Sequence, residues 1–293
     1  MSVATAQIAA KVRETFNFSV DKFPLRGPEP SMTTQWYAMF RSDTGEAVGT
    51  GSVSARYVPH DTDDVVALVE AAESAFGEVA DVVCGFRNGH FVSITPTKQQ
   101  RLAVFGDRDA VVPRVLIHAP YGSTFNATIG MYRDVCRNLA VLREVKATTV
   151  RIRHTHNLRP RMDQLIEDFS LLATGWRALT DRLNQMEQVS LNVADFLDGL
   201  YGQPKRDSPR ALTVHKNRTE AIIRRLARER VTVGRELADL RTATGYELFQ
   251  AVQGYTQWDL KRKGKPSPLE RIILASTDNT VRQAERLAIG MAV

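Results

Sequence analysis

The sequence predicts an α+β fold: N-terminal antiparallel β-hairpins with one packed helix, then a mainly helical C-terminal half with a long heptad-patterned helix. Three observations predict it. Runs of β-branched and aromatic residues separated by turn residues fill most of residues 33–132, the pattern of hairpins. Residues 61–76 between them carry helical periodicity instead, with Val65, Leu68, Val69, Ala72 and Phe76 on one face. Leu158, Met162, Leu165, Phe169, Leu172, Trp176, Leu179, Leu183 and Met186 then recur at alternating steps of four and three, as in a helix packed along one stripe.

In chain order, residues 2–16 suit a short helix. Residues 22–31 hold three prolines and a glycine and are expected to be a connector. A first strand over 33–40 is followed by the turn Ser42-Asp43-Thr44-Gly45 and a second strand over 47–57. Gly49 and Gly51 inside that strand point to a bulge or a close backbone approach. Asp61 or Thr62 caps the helix that ends at Phe76, with Asp63 and Asp64 as favourable first-turn carboxylates. Arg87-Asn88-Gly89 turns a second hairpin, 81–86 with 90–95, and Asn-Gly is a strong short-range signal for one. A third pairs 111–119 with 124–132 around Gly122. Residues 134–145 are expected to be helical, 147–154 a strand or extended link, and 158–186 the long helix. Further helices are expected at 193–200, from Ala211 onward, at 245–258 and at 278–289. The domains expected are an N-terminal arm (1–32), a β-rich α+β domain (33–157) and a helical region (158–293).

The 293 residues, 43% hydrophobic, allow a substantial core. No apolar run approaches the roughly 20 residues that a membrane-spanning helix needs, and the first ten residues lack a basic start and a cleavage site. Two cysteines, Cys84 and Cys136, are too few for a disulfide framework. The expected location is cytoplasmic, with no membrane. The net charge of +6 is uneven: residues 1–130 hold 11 Lys/Arg against 14 Asp/Glu, the remainder 28 against 19. A polyanion would therefore be met by the second part or at the junction.

Chemistry-bearing motifs are few. His154 and His156 alternate as two ligands on a strand would, but a zinc site needs a third protein ligand and none recurs nearby. Gly49-Thr50-Gly51-Ser52 is not followed by Gly-Lys-Ser/Thr and is no phosphate-binding loop. Cys136 has no evident base partner. No enzymatic activity, metal or cofactor is expected. The marked cluster is Arg133, Arg137, Arg143, Lys146, Arg151, Arg153, Arg159 and Arg161, faced only by Asp134, Glu144 and Asp163. Arginine suits bidentate phosphate contacts. Arg151 and Arg153 alternate on an extended segment, and Arg133 and Arg137 would share a helix face. An arginine-rich structural junction, bonded to helix C-termini, is the other reading of the same residues.

Tyr132-Arg133-Asp134-Val135-Cys136-Arg137-Asn138-Leu139, followed by Val150-Arg151-Ile152-Arg153-His154-Thr155, resembles the R-x-V-C-x-N … h-R-h-R-H-T signature of the phage/plasmid-like family known as domain of unknown function 932. Gly122-Ser123 and Thr44-Gly45-Glu46-Ala47-Val48-Gly49 resemble its hairpins. Thr244-Gly245-Tyr246-Glu247-Leu248-Phe249-Gln250-Ala251-Val252 resembles its G-T-x-W-x-x-Y-N-A-V helix, with Tyr246 at the tryptophan and Gln250 at the asparagine. The likeness spans most of residues 33–260 and implies a mobile-element protein, without lending a chemistry. A weaker, fold-level resemblance is to the single-strand annealing proteins of phage recombination, which assemble into rings or filaments.

The expectation is a phage- or plasmid-type protein that binds single-stranded DNA and promotes annealing as a homo-oligomer. Arg133, Arg137, Lys146, Arg151, Arg153, Arg159 and Arg161 would hold phosphates, with Asn138 and His154 as polar contacts, while the long helix and β-rich part supply subunit contacts. The rival is a protein-binding accessory or host-defence-inhibiting factor without catalytic activity. An enzyme working through His154 and His156 would require bound metal.

Overall fold

The computed structural model describes residues 3–29, 32–86, 89–96, 102–105, 109–133, 139–140, 149–153, 158–204, 208–237, 239–261, 266, 268–276 and 278–290. Antiparallel sheets occupy the N-terminal half and helices the C-terminal half, so the fold is α+β. Two compact units divide the chain: Met1–Gln99, Arg114–Ile129 and Thr149–Thr174 form one, and Gln100–Pro113, Gly130–Thr148 and Gly175–Val293 the other. Both are discontinuous in sequence, and the boundaries read at 32/33 and 157/158 do not coincide with this division.

The first unit opens with α1 (Val3–Thr15) and a three-stranded sheet, β1 (Val20–Arg26), β2 (Thr33–Arg41) and β3 (Ala47–Ser54), in that order. The first half of the expected connector at 22–31, residues 22–26, is thus strand. Pro24 is tolerated because β1 lies at a sheet edge, where an N–H need not be donated, and the register shifts between Pro24 and Arg26. Gly49 has φ +91°, and a Cβ there would stand 3.1 Å from the Tyr121 carbonyl oxygen. The close backbone approach read from the sequence is therefore present, beside a register irregularity in the β2–β3 pairing.

Next comes α2 (Thr62–Phe76), capped as expected by Asp61, whose side chain accepts from the Asp64 N–H while Asp64 accepts from the Asp61 N–H. β4 (Val79–Phe86) and β5 (Gly89–Pro96) form the second hairpin. After β6 (Leu102–Phe105) come β7 (Asp109–Pro120) and β8 (Thr124–Arg133), then β9 (Leu139–Ala140) and β10 (Thr149–Arg153). Within the first unit the strand order is β10-β8-β7-β5-β4. Val65, Leu68 and Val69 of α2 are fully buried, as are Val92, Ile94, Val115 and Ile117 of the sheet.

A ring cluster closes this core. The His60 Nε2 and His90 Nδ1 atoms lie 2.7 Å apart in a hydrogen bond, and both residues are buried. His60 stacks on Tyr121 at 4.4 Å, and Phe16 meets His90 edge-on at 4.4 Å. The Tyr121 hydroxyl donates to the His60 carbonyl. His90 Nε2 has no hydrogen-bond partner among the described residues. Burial, with a smaller push from the Arg41 charge, lowers the His90 pKa to about 3. The Cys84 thiol is pushed up to about 11, chiefly by burial, which keeps it protonated and unreactive.

α3 (Leu158–Gln188) is the long helix that the heptad pattern predicts. Its later stripe residues Leu179, Leu183 and Met186, in the second unit, are fully buried. That unit continues with β11 (Ser190–Asn192), α4 (Val193–Tyr201), α5 (Pro209–Val233), β12 (Thr242–Thr244), α6 (Gly245–Gly254), α7 (Pro268–Ser276) and α8 (Asn279–Ala288). α6 runs into a π-helical turn at Tyr255–Asp259. It packs against α5, α8 and β9 and is buried along its whole length. No helix among the described residues is long and apolar enough to cross a membrane.

Candidate nucleic-acid interface

Arg151 and Arg153 lie on β10, the edge strand of its sheet. The register sets Arg151 opposite Asn126 and Arg153 opposite Thr124, with Val150 opposite Ala127 and Ile152 opposite Phe125. Directly opposed residues of an antiparallel pair share a face. Phe125, Ala127 and Ile129 are fully buried, whereas Thr124, Asn126 and Thr128 are half-buried. Positions 151 and 153 therefore stand together on the polar face of the sheet, and the apolar positions 150 and 152 on the core face. This is the alternation that Val-Arg-Ile-Arg spells out in the sequence.

Arg133 is a correction. It ends β8 rather than entering a helix, and β9 folds back on it, pairing Tyr132 with Leu139 and Met131 with Ala140. Strand at 139–140 falls within the span 134–145 expected to be helical; the rest of that span lies outside the described residues. Arg133 is only 3% exposed. Its Nη2 donates to Asp109 Oδ2 at 2.6 Å and its Nη1 to Glu229 Oε2 at 2.7 Å. Glu229 also accepts from Arg225 Nε at 2.9 Å, and Arg225 Nη1 reaches Asp259 Oδ2 at 3.0 Å. The Tyr246 hydroxyl donates to Asp109, and the Arg133 guanidinium lies over the Tyr246 ring. An arginine committed to two carboxylates inside the second unit is structural and is not presented to a phosphate.

The remaining expected contacts fall as follows. Arg159 and Arg161 belong to the first turns of α3. Arg137, Asn138, Lys146 and His154 lie outside the described residues, as does His156. No group of three or more potential metal ligands occurs among the described residues.

Sequence reasoning missed the partners of Arg133. One signal was available: Arg225 and Glu229, four apart, share the helical face of Ile222 and Leu226, and a charge pair inside an apolar stripe predicts a buried ion pair. Gly254 belongs to the same assembly. A Cβ on it would fall 1.9 Å from Arg225 Nε, so the guanidinium can lie on the helix only where the side chain is a hydrogen. Gly254→Ala is expected to lower stability by about 1–3 kcal/mol, measured as a fall in the urea midpoint; an unchanged midpoint would show that Arg225 has another place to go.

A second buried network sits beside it. Arg230 donates to Glu247 through Nε at 2.7 Å and Nη2 at 2.9 Å, and to the carbonyls of Asp239 and Thr242. Burial pushes the Glu247 carboxyl up. The Arg230 hydrogen bonds, the Thr244 N–H and the charges of Arg235 and Arg230 outweigh it, so its pKa lies below the ordinary value. Tyr246 and Gln250 are fully buried, which places the Thr244–Val252 motif in the core of its unit.

A group of outward cations lies on α5. Ile222, Arg225, Leu226, Glu229, Arg230 and Val233 form its buried side, and Arg210, Lys216, Arg224 and Arg228 are exposed. Lys216 and Arg224 share Glu220 at 3.9 and 3.5 Å, contacts too exposed to neutralise either cation firmly. Leu212 and Leu237 are exposed, because α5 is outward on most sides near its start and ends at Val233, before Leu237.

No curated protein and no solved structure matches the chain. The model of one family, Domain of unknown function (DUF932), matches residues 50–286. That span takes in the β10 arginines, the buried Arg133 and the Tyr246 helix, and the chain belongs to the DUF932 family.

Proposed function

We propose that the protein binds single-stranded DNA and promotes strand annealing as an oligomer, without nucleotide or metal. The observation that carries this reading is the β10 register, which puts Arg151 and Arg153 on one polar face next to Asn126 and Thr124. Two arginines at alternate positions of an edge strand are about 6.6 Å apart, close to the spacing of successive phosphates along an extended strand. The exposed cations of α5 add a second phosphate-attracting surface. Arg133 takes no part in binding. The proposed contacts are Arg151 and Arg153, with Arg137, Lys146, Arg159 and Arg161 as further phosphate ligands and Asn138 and His154 as polar ones.

Fluorescence anisotropy with a labelled single strand and the matching duplex, across a salt series, tests the reading. Tight single-strand binding that weakens steeply with salt is expected. Each phosphate contact contributes about 0.7 to the slope of log affinity on log salt for single strands. Arg151→Ala with Arg153→Ala should therefore lower the slope by about 1.4 while leaving thermal stability unchanged. A folded double variant with wild-type slope would remove this face from consideration. No binding even at low salt would sink the nucleic-acid reading and leave the protein-binding factor.

A further inference from the structure

The outer face of the three-stranded sheet exposes large apolar side chains. Phe23 and Trp36 are each 53% exposed, and Leu25 and Met32 are exposed beside them. The opposite face holds Val20, Met39, Val48 and Val53 in the core, so Phe23 and Trp36 belong to a second face of the sheet. Phe23 stands across from Ala38, and Phe40 meets Phe23 edge-on at 5.7 Å. Trp36 and Phe40 therefore flank Ala38 along β2, each two residues away, with Phe23 beside it. On β3 the same face carries small exposed residues, Ala47 opposite Phe40 and Ser54 opposite Trp36. An open depression of about 520 Å³ adjoins the rings at Asp21, Phe40 and Gly45. A contiguous apolar patch of this kind marks an interaction surface.

The charges around it identify the occupant. At the end where β1 begins and β2 turns into β3 stand Asp21, Glu46 and Asp43, of which Asp43 is tied to Arg41 by a bidentate pair. At the other end stand Arg26 and Arg56, offset in part by Glu29. The two ends carry opposite net signs, and neither offers the continuous cationic track that a polyanion needs. A two-fold axis across the strands, passing over Ala38, lays a second copy with its strands antiparallel to the first. It brings the acidic end of each copy onto the basic end of the other. It also sets Trp36 of each copy against Phe40 of the other, with the two Ala38 residues at the centre.

We propose that this face is a self-complementary contact between two copies of the chain, an isologous interface. The inference does not rest on nucleic-acid binding. Three strands about 4.8 Å apart and about 23 Å long present only part of the roughly 800 Å² per partner of a standard interface. The contact is accordingly weak and concentration-dependent.

Sedimentation velocity of the full chain, from about 1 to about 200 μM, reads it. The wild type is expected to pass from monomer to dimer mass across this range. Trp36→Glu, at an exposed position and checked for folding by circular dichroism, should move the midpoint at least about tenfold higher; Phe23→Glu is the second variant should Trp36→Glu fail to fold. Asp21→Arg with Glu46→Arg should weaken the dimer, and adding Arg26→Glu with Arg56→Glu should restore it. Monomer mass at every concentration would overturn the proposal, as would a dimer indifferent to both ring variants. A quadruple charge variant no tighter than the double one would overturn the antiparallel arrangement. Were Trp36→Glu to lower oligonucleotide affinity with the wild-type monomer–dimer balance intact, bases rather than a second copy would occupy the face and the proposal would fall.

Discussion

Arg133→Ala is expected to lower the stability of the full chain by about 3–5 kcal/mol, read as a fall in the urea midpoint, whereas Arg151→Ala should stay within about 0.5 kcal/mol of wild type. The physical reason is the difference between a buried and a strand-edge arginine. Removing the Arg133 guanidinium leaves Asp109, fully buried, without its bidentate partner, and strips an arginine contact from Glu229. The carboxylates cannot then reach water, so the loss is the desolvation penalty of the stranded charge rather than the modest value of one pair. Arg133→Lys should recover little, because one ammonium cannot reproduce the planar fork that spans Asp109 and Glu229. A stable Arg133→Ala protein would mean that water enters the site in its place.

Acid should destabilise the first unit steeply, and His90 should be the chief cause. His90 is buried among Phe16, Phe18, His60, Phe86 and Tyr121, and its pKa falls from the ordinary 6.5 to about 3, chiefly through burial. A base whose folded pKa is depressed binds its proton more readily in the unfolded chain. Its contribution is therefore fully present above pH 6.5 and is lost as the pH falls from 6.5 towards 3. The loss is about 1.4 kcal/mol per pH unit within that window. His118, stacked on Phe91 at 4.4 Å and lowered by burial to about 4, adds a loss of the same sign between 6.5 and 4. The measurement is the urea-derived stability of wild type and His90→Phe from pH 7.5 to 4. The variant should be less stable at neutral pH, because the His60 hydrogen bond is gone, and should lose stability less steeply with acid. Parallel curves would show that His90 is not the titrating group.

Much of this protein was fixed locally and was legible in its residues. The Asp61 cap, the Asn88-Gly89 hairpin and the length of α3 follow from caps, turn types and periodicity, which act within a few residues. The β10 alternation belongs here too: Val-Arg-Ile-Arg specifies two faces whatever strand it pairs with. The strand at Val20–Arg26 was hidden because Pro24 argues against a strand unless that strand lies at an edge, and edge position is a property of the sheet.

Arg133 shows what only the tertiary structure decided. In sequence it is one of a run of arginines and indistinguishable from Arg151. Its fate was set by Asp109, 24 residues earlier, and by Glu229, 96 residues later, neither visible in a local window. The same holds for the ring face of the three-stranded sheet. The alternation of β1 and β2 gives each strand two apolar faces, and only the packing of the core against Val20, Met39 and Val53 determined which was buried. Sequence by itself settled the elements marked by caps, turn residues and periodicity, because those depend on short-range sterics and hydrogen bonding. Tertiary structure settled which charges were neutralised and which rings stayed in water, because desolvation depends on everything that surrounds a group at once.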